Sequence, residues 1–219
     1  MEQITNNEKF NQYFDFLITE NKKYNLTAIT SKEEVYIKHF YDSLALSTAI
    51  DLNNVSTLCD VGSGAGFPSI PLKIIYPSLS VTIIEPTLKR CNFLKQLVEL
   101  LDLKDVTIIN DRAENMIKYR EYFDIVCARA VANLQVLSEL CIPLVKVNGL
   151  FIAMKGITYL EELEKSRNAL NKLDSSLIKL QEYDLPNDYG HHAIIVIKKN
   201  KETNSKYPRN YSIIKKKPL

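Results

Sequence analysis

The chain has 219 residues, of which 46% are hydrophobic and 25% charged, with a formal net charge of +2. That balance excludes a disordered chain and allows one large domain with its own core. No apolar run approaches bilayer length, "MEQITNNEKF" lacks a signal peptide's basic-then-apolar layout, and four dispersed cysteines with three histidines argue for buried free thiols in a reducing cytoplasm against disulfides or a metal centre.

The elements begin with "NNEKFNQYFDFLITEN", whose spacing predicts a helix burying Phe10, Phe14 and Leu17, with Tyr13 alongside. "SKEEVYIKHFYDSLALSTAI" (31–50) predicts a second helix opened by a capping box of Ser31 and Glu34, with His39 and Asp42 on one side of it. After residue 54 strands and helices alternate. "STLCDV" (56–61), "SVTIIE" (80–85), "DVTIIN" (105–110), "FDIVCA" (123–128) and "GLFIAMK" (149–155) read as buried strands separated by helices. "SSLIKLQEYDL" and "HHAIIVIKK" follow without a helix between them and read as an antiparallel edge pair, with His191 and His192 as loop residues. The fold expected is α/β and Rossmann-like: a mostly parallel sheet with an antiparallel edge hairpin and an N-terminal helical cap. The chain divides into a cap (1–54), a core (55–199) and a basic tail (200–219) within one structural domain. From Lys198 onward eight basic residues face one acidic residue, so the tail carries +7 and the other 197 residues sum to −5. Such a tail suits a polyanionic partner, or merely a solvated terminus.

Three of the six glycines, Gly62, Gly64 and Gly66, fall in "DVGSGAGFP" between the first strand and a helix, where a doubly wound sheet holds its ligand. The dinucleotide pattern fails, because Phe67 stands where its third glycine belongs, and no Gly-Lys-Ser/Thr follows to make a P-loop. Acidic residues at three successive strand ends, namely Asp60, Glu85, and Asp111 with Glu114, suit the sulfonium, ribose and adenine of S-adenosylmethionine (SAM) better than a diphosphate. This is the pattern of a class I SAM-dependent methyltransferase. The fourth strand is followed by "ARAVANLQ" in place of an Asp/Asn-Pro-Pro-aromatic turn, and Cys141 lies in an apolar run. Both point to an acceptor that needs neither amine deprotonation nor covalent attack, such as guanine N7.

The motifs "YNLTAIT", "HFYDSL", "DVGSGAGFPSIPL", "KRCNFL", "RAEN", "ARAVANL", "MKG" and the closing "YPR…KKPL" resemble the RsmG (GidB) family of bacterial guanine-N7 methyltransferases of 16S ribosomal RNA. The resemblance runs from about residue 10 to the end. It implies a cytoplasmic enzyme using SAM, releasing S-adenosylhomocysteine and needing no metal. By position it places cofactor contacts on Gly62, Phe67, Ala113, Glu114 and Arg129, to which the residues themselves add Gly64, Gly66 and Glu85. The chain departs from the family pattern at Ser69 and in "NYSII" of the tail. Arg129 and Lys155 are the residues expected at the reaction; a guanidinium beside a sulfonium needs an anionic partner, here expected to be an RNA phosphate or the SAM carboxylate. Arg112, Lys155, Arg209, Lys215, Lys216 and Lys217 are expected on 16S RNA or the small subunit, with the protein a monomer and no membrane involved. Other readings are a SAM-dependent methyltransferase of another RNA position or a small molecule, or a non-catalytic RNA-binding assembly module.

Overall fold

The computed structural model describes residues 2–219. A short α1 (Glu2–Thr5) leads into α2 (Glu8–Tyr24). The second of these starts where the Asn7 side chain accepts the Lys9 N–H at 3.0 Å and stops at Asn25, whose φ of 49° breaks it in the left-handed region. Phe10, Tyr13 and Leu17 are fully buried. Phe14, expected on that face, is half-buried. Tyr13 takes its place because its hydroxyl donates to the Ala65 carbonyl at 2.5 Å and draws the ring onto the sheet.

The helix expected over 31–50 is three pieces: α3 (Lys32–Val35), a π-helical turn (Tyr36–Tyr41) and α4 (Asp42–Ala49). Ser31 caps it by accepting the Glu34 N–H, and the Glu34 carboxylate in turn takes the Ser31 hydroxyl at 2.9 Å. In the π-helical turn the Asp42 N–H bonds to the carbonyls of Ile37 and His39 and skips that of Lys38. Apolar spacing does not disclose that extra residue, yet it turns the Lys38 carbonyl out of the helix.

The sheet follows: β1 (Thr57–Val61), α5 (Ser69–Ile75), β2 (Ser80–Ile84), α6 (Leu88–Leu100), β3 (Val106–Ile109), β4 (Phe123–Arg129), α7 (Leu134–Cys141), β5 (Val145–Lys155), α8 (Tyr159–Lys172), β6 (Ser175–Asp184) and β7 (His191–Lys199). Its seven strands lie in the order β3-β2-β1-β4-β5-β7-β6, parallel except that β7 runs antiparallel to β5 and β6. This is the Rossmann-like arrangement the alternation predicted. Side chains of β1 and β7 alternate between two cores. Leu58, Ile194 and Val196 meet α2, α4, α5 and α6 on one face; Cys59, Val61, Ile195 and Ile197 meet α7 and α8 on the other. Burying each such aliphatic side chain contributes about 1.5–3 kcal/mol. The helices of residues 2–49 therefore share their core with the sheet. Among the described residues no helix is long and apolar enough to cross a membrane.

The basic tail is folded. Arg120 donates to the carbonyls of Tyr207 and Thr203, and Glu121 accepts the Thr203 N–H at 2.9 Å and the Lys199 ammonium at 2.9 Å. Tyr207, Ile214 of α9 (Tyr211–Lys216) and Leu219 join the α7–α8 core. Arg209, expected on RNA, is engaged within the protein. It grips the fully buried Glu139 through two bonds of 2.7 and 2.6 Å, because a carboxylate taken out of water requires a counter-charge. Lys215, Lys216 and Lys217 stay exposed.

Candidate active site

The strand order reverses between β1 and β4, so the turn after one and the loop after the other open side by side. In the turn, N–H groups of Gly62, Gly66 and Phe67 bond to the carbonyls of Ile84 and Ser63, and that of Gly64 to the Glu85 carboxylate at 3.1 Å. A diphosphate would need those amides free. The amide of Phe67, a residue expected to contact the cofactor, is thus taken by the Ser63 carbonyl.

All three glycines hold a positive φ, 76° at Gly62, 61° at Gly64 and 104° at Gly66, and beyond that shared need their surroundings differ. A Cβ on Gly62 would lie 2.8 Å from Val131, and one on Gly66 (φ +104°) 2.7 Å from the Tyr13 hydroxyl and 2.8 Å from Ile70. A Cβ on Gly64 (φ +61°) would meet none of the described residues within 4 Å, so that position faces the open cavity. Gly66→Ala is accordingly expected to cost about 2–4 kcal/mol, a fall in Tm of roughly 5–15 °C. Gly64→Ala, with only its positive φ to bear, costs about 1 kcal/mol, and its harm falls on whatever fills the cavity. Thermal melts of the two variants check the ordering; equal losses would refute it.

Asp60, at the end of β1, is completely buried under the turn. One oxygen accepts the Ser69 N–H at 3.2 Å and the other has no partner among the described residues, and burial pushes its carboxyl up to about 7 against the opposing Ser69 bonds. The expectation that Asp60 faces a cation is corrected: the carboxylate beside the turn is Glu85, itself buried, with its second oxygen on the Thr87 N–H at 2.9 Å.

Arg129, the last residue of β4, is the centre of the site. Its guanidinium donates to Asp42 at 2.6 Å, to the released Lys38 carbonyl at 3.1 Å and to His39 Nδ1 at 3.0 Å, and lies 5.1 Å over the Phe67 ring. An arginine only donates, so His39 Nδ1 accepts and its proton sits on Nε2, bonded to Thr27 at 2.9 Å. Burial, helped by Arg129, pushes His39 down to about 4. The His39 ring stacks on Phe67 at 4.5 Å, and Tyr13 stacks on the same phenyl ring at 5.5 Å. Asp42 is 3% exposed and also accepts from Tyr183 at 2.7 Å and His192 at 2.7 Å. Burial alone would raise its pKa, but those bonds and Arg129 hold it below the usual carboxylate range. The anionic partner foreseen for Arg129 as a phosphate or a ligand carboxylate is therefore supplied by the protein. His192, expected in a loop, is part of this cluster; its alternation with Ile194 and Val196 along β7 carried that information.

Two cavities meet at this cluster. One of about 180 Å³ lies over the glycine turn and is lined by Gly62, Gly64 and Phe67. Another of about 560 Å³ opens beyond, lined by Met154, Lys155, Glu162 and Tyr189 among others. His39, Arg129 and Ala130 line both. Ala130, between the two cavities, holds a φ of 56° in the left-handed region. Ser63 Oγ, in the smaller cavity, is buried without a partner among the described residues.

The other expected residues divide. Lys155 lines the large chamber, but its ammonium is held by Glu162 at 2.7 Å and the Ala132 carbonyl at 2.5 Å, so it braces the 130–133 loop. Ala113 and Glu114 sit on a turn after β3 and line a separate 260 Å³ pocket with Tyr207 and Pro208. Arg112 lies 4.8 Å over the Tyr211 ring of the tail. Asp111 accepts from the Arg112 N–H and the Asn115 amide.

A model of the GidB family, described as rRNA small subunit methyltransferase G, matches residues 6–186. The chain is 50% identical over 214 residues to the ribosomal RNA small subunit methyltransferase G of Staphylococcus saprophyticus, covering 97% of this chain and 90% of that one. It is 48% identical to the protein of that name from Bacillus subtilis over 215 residues, with the same coverage of 97% and 90%. Among solved structures it is similar in fold to an rRNA methylase from Streptococcus thermophilus (TM-score 0.52, 16% identity, 74% of this chain and 95% of that). A TYW2 from M. jannaschii in complex with AdoMet shares the fold too (TM-score 0.54, 19% identity, 66% and 68%).

Proposed function

The chain belongs to the GidB family of small-subunit ribosomal RNA methyltransferases, and from that membership we propose that it moves a methyl group from SAM to N7 of one guanine in 16S RNA. The observation that carries this reading is the pair of cavities sharing the wall of His39, Arg129 and Ala130. One suits a cofactor and the other an extruded base, with the reacting atoms meeting at the wall.

The glycine cavity fits SAM better than a dinucleotide. Four of its turn amides are engaged internally, Gly64 leaves its face open, Ser63 Oγ awaits a partner, and Glu85 lies beside it. Gly62, Gly64, Gly66, Phe67, Glu85 and Arg129 would hold SAM, and its adenine would extend past this cavity to Ala113 and Glu114, which line the neighbouring pocket after β3. When bound, SAM supplies an electrophilic methyl group. Guanine N7 needs no general base, since its lone pair is free at neutral pH, so the protein's work is alignment, worth roughly 7–11 kcal/mol. Arg129, neutralised by Asp42 and clamped by Phe67 and His39, presents its remaining N–H groups without repelling a sulfonium. Lys155 and Glu162 fix the loop that separates the cavities. Lys215, Lys216, Lys217 and Arg112 would meet RNA phosphates, and work on the small subunit places the protein in the cytoplasm.

Incubation with methyl-labelled SAM and unmodified small-subunit RNA or subunits, followed by mapping of the label, tests this. Label at N7 of a single guanine supports it. Label on an adenine or pyrimidine, or none with any ribosomal substrate, sinks it.

A further inference from the structure

N7 cannot by itself tell the enzyme which purine it holds, because guanine and adenine both present a free N7 lone pair. The two differ beside N7, where guanine carries the O6 acceptor and adenine the N6 amino donor, and again on the far edge. Guanine offers two donors there, N1–H and the N2 amino group, where adenine offers an acceptor at N1. A reader of that edge in the large chamber must be an acceptor, and a carboxylate is the strongest.

The chamber lining holds two carboxylates, Asp42 and Glu162. Asp42 is fully occupied: one oxygen takes Arg129, the other takes both Tyr183 and His192, and the residue is 3% exposed. Glu162, on α8, keeps 21% of its side chain exposed. Its Oε2 accepts the Lys155 ammonium at 2.7 Å and the Leu134 N–H at 2.8 Å. Its Oε1 has the Thr158 hydroxyl at 3.2 Å and acceptor capacity to spare. Resting on the function proposed above, we infer that Glu162 is the guanine reader, its carboxylate accepting from N1–H and the N2 amino group of the extruded base.

The same contact acts on the rate. Methyl transfer makes the N7–C bond as the S–C bond breaks with its electron pair going to sulfur; no proton moves, and the positive charge passes from sulfonium to base. As the base becomes cationic its N1–H becomes a stronger donor, so a carboxylate on that edge binds the transition state more tightly than the ground state. Arg129 and Lys155 cannot supply that help, being cations.

Glu162→Gln is a discriminating variant. Lys155 and the Leu134 N–H are both donors, so they hold the amide oxygen in the Oε2 position and turn the NH2 toward the base. Guanine then meets a donor where it needs an acceptor. The test compares kcat/KM on small-subunit RNA carrying guanosine or inosine, which lacks the N2 amino group, at the mapped position. The native protein is expected to prefer guanosine roughly 10- to 100-fold, and Glu162→Gln and Glu162→Ala to bring the ratio to within about threefold of one. Lys155→Met breaks the same ion pair and loosens the same loop but spares the carboxylate, so turnover falls with the preference kept. A preference unchanged in both Glu162 variants, or absent in the native protein, overturns the inference while the proposed function stands. Native enzyme that labels no guanine N7 overturns both.

Discussion

Arg129→Met is expected to slow methyl transfer to small-subunit RNA by about a hundredfold or more, far beyond what its loss of stability explains. The guanidinium is the common wall of the two cavities and is fixed from four sides, by Asp42, the Lys38 carbonyl, His39 and the Phe67 ring. Losing a group that sets the approach of two reactants costs on the order of 10² for a misplacement near 1 Å. Breaking one side of a buried ion pair costs about 3–5 kcal/mol of stability, at the low end here because Asp42 keeps Tyr183 and His192. Arg129→Lys separates the two effects. It returns a charge to Asp42, and so part of the stability, but one ammonium cannot reach four partners set around a planar fork. Urea unfolding beside single-turnover rates checks both variants; a lysine enzyme with near-native transfer would show that Arg129 is only a counter-ion.

His39 carries the second expectation, a matter of acid stability. Its folded pKa is about 4, pushed down by burial and then by Arg129, against about 6.5 in an unfolded chain. Between those values the unfolded chain binds a proton that the folded protein refuses, so the His39 contribution weakens stability as pH falls through that window. It reaches up to about 3 kcal/mol at pH 4 and is absent above pH 7. The native profile alone will not show this. Asp60, raised by burial to about 7, binds a proton on folding over the same range and favours the folded state as pH falls. Asp42 has a lowered pKa, so its stability is complete above the unfolded value near 4 and is lost only in stronger acid. The quantity to measure is the difference in unfolding free energy between the native protein and His39→Gln. It should be flat from pH 8 to 7 and then shift toward the variant by up to about 3 kcal/mol at pH 4. A constant difference would mean that His39 titrates normally.

The sheet was legible because period-two alternation and buried β-branched runs are local signals, and seven strands left seven such signals in order. The glycine turn was legible for the same reason: three glycines in five positions constrain a backbone wherever it lies. Arg129 was found, but its partner was not. Asp42 lies 87 positions away and His192 150 positions from Asp42, and such pairings are fixed by how elements pack, which no window of sequence contains. The reason for the glycines was also only half readable. Gly62 and Gly66 are dictated by Val131 and Tyr13 from distant segments, and of the three only Gly64 would put a Cβ into open space. Net charge misled on the tail. It counted Arg209 as available, whereas Glu139 sits in an apolar stretch of α7 and its burial commits that arginine.

The wide turn at Tyr36–Tyr41 sets the phase of everything after it. Deleting one residue there would let the chain heal into an uninterrupted α-helix, with better backbone geometry than it has now. Yet each residue of an α-helix advances about 100°, so His39 would swing away from Asp42 and the Lys38 oxygen would return to the ladder. The irregularity is thus a vernier between two rigid halves: a sequence improved for helix formation would be a sequence that had lost its grip on Arg129.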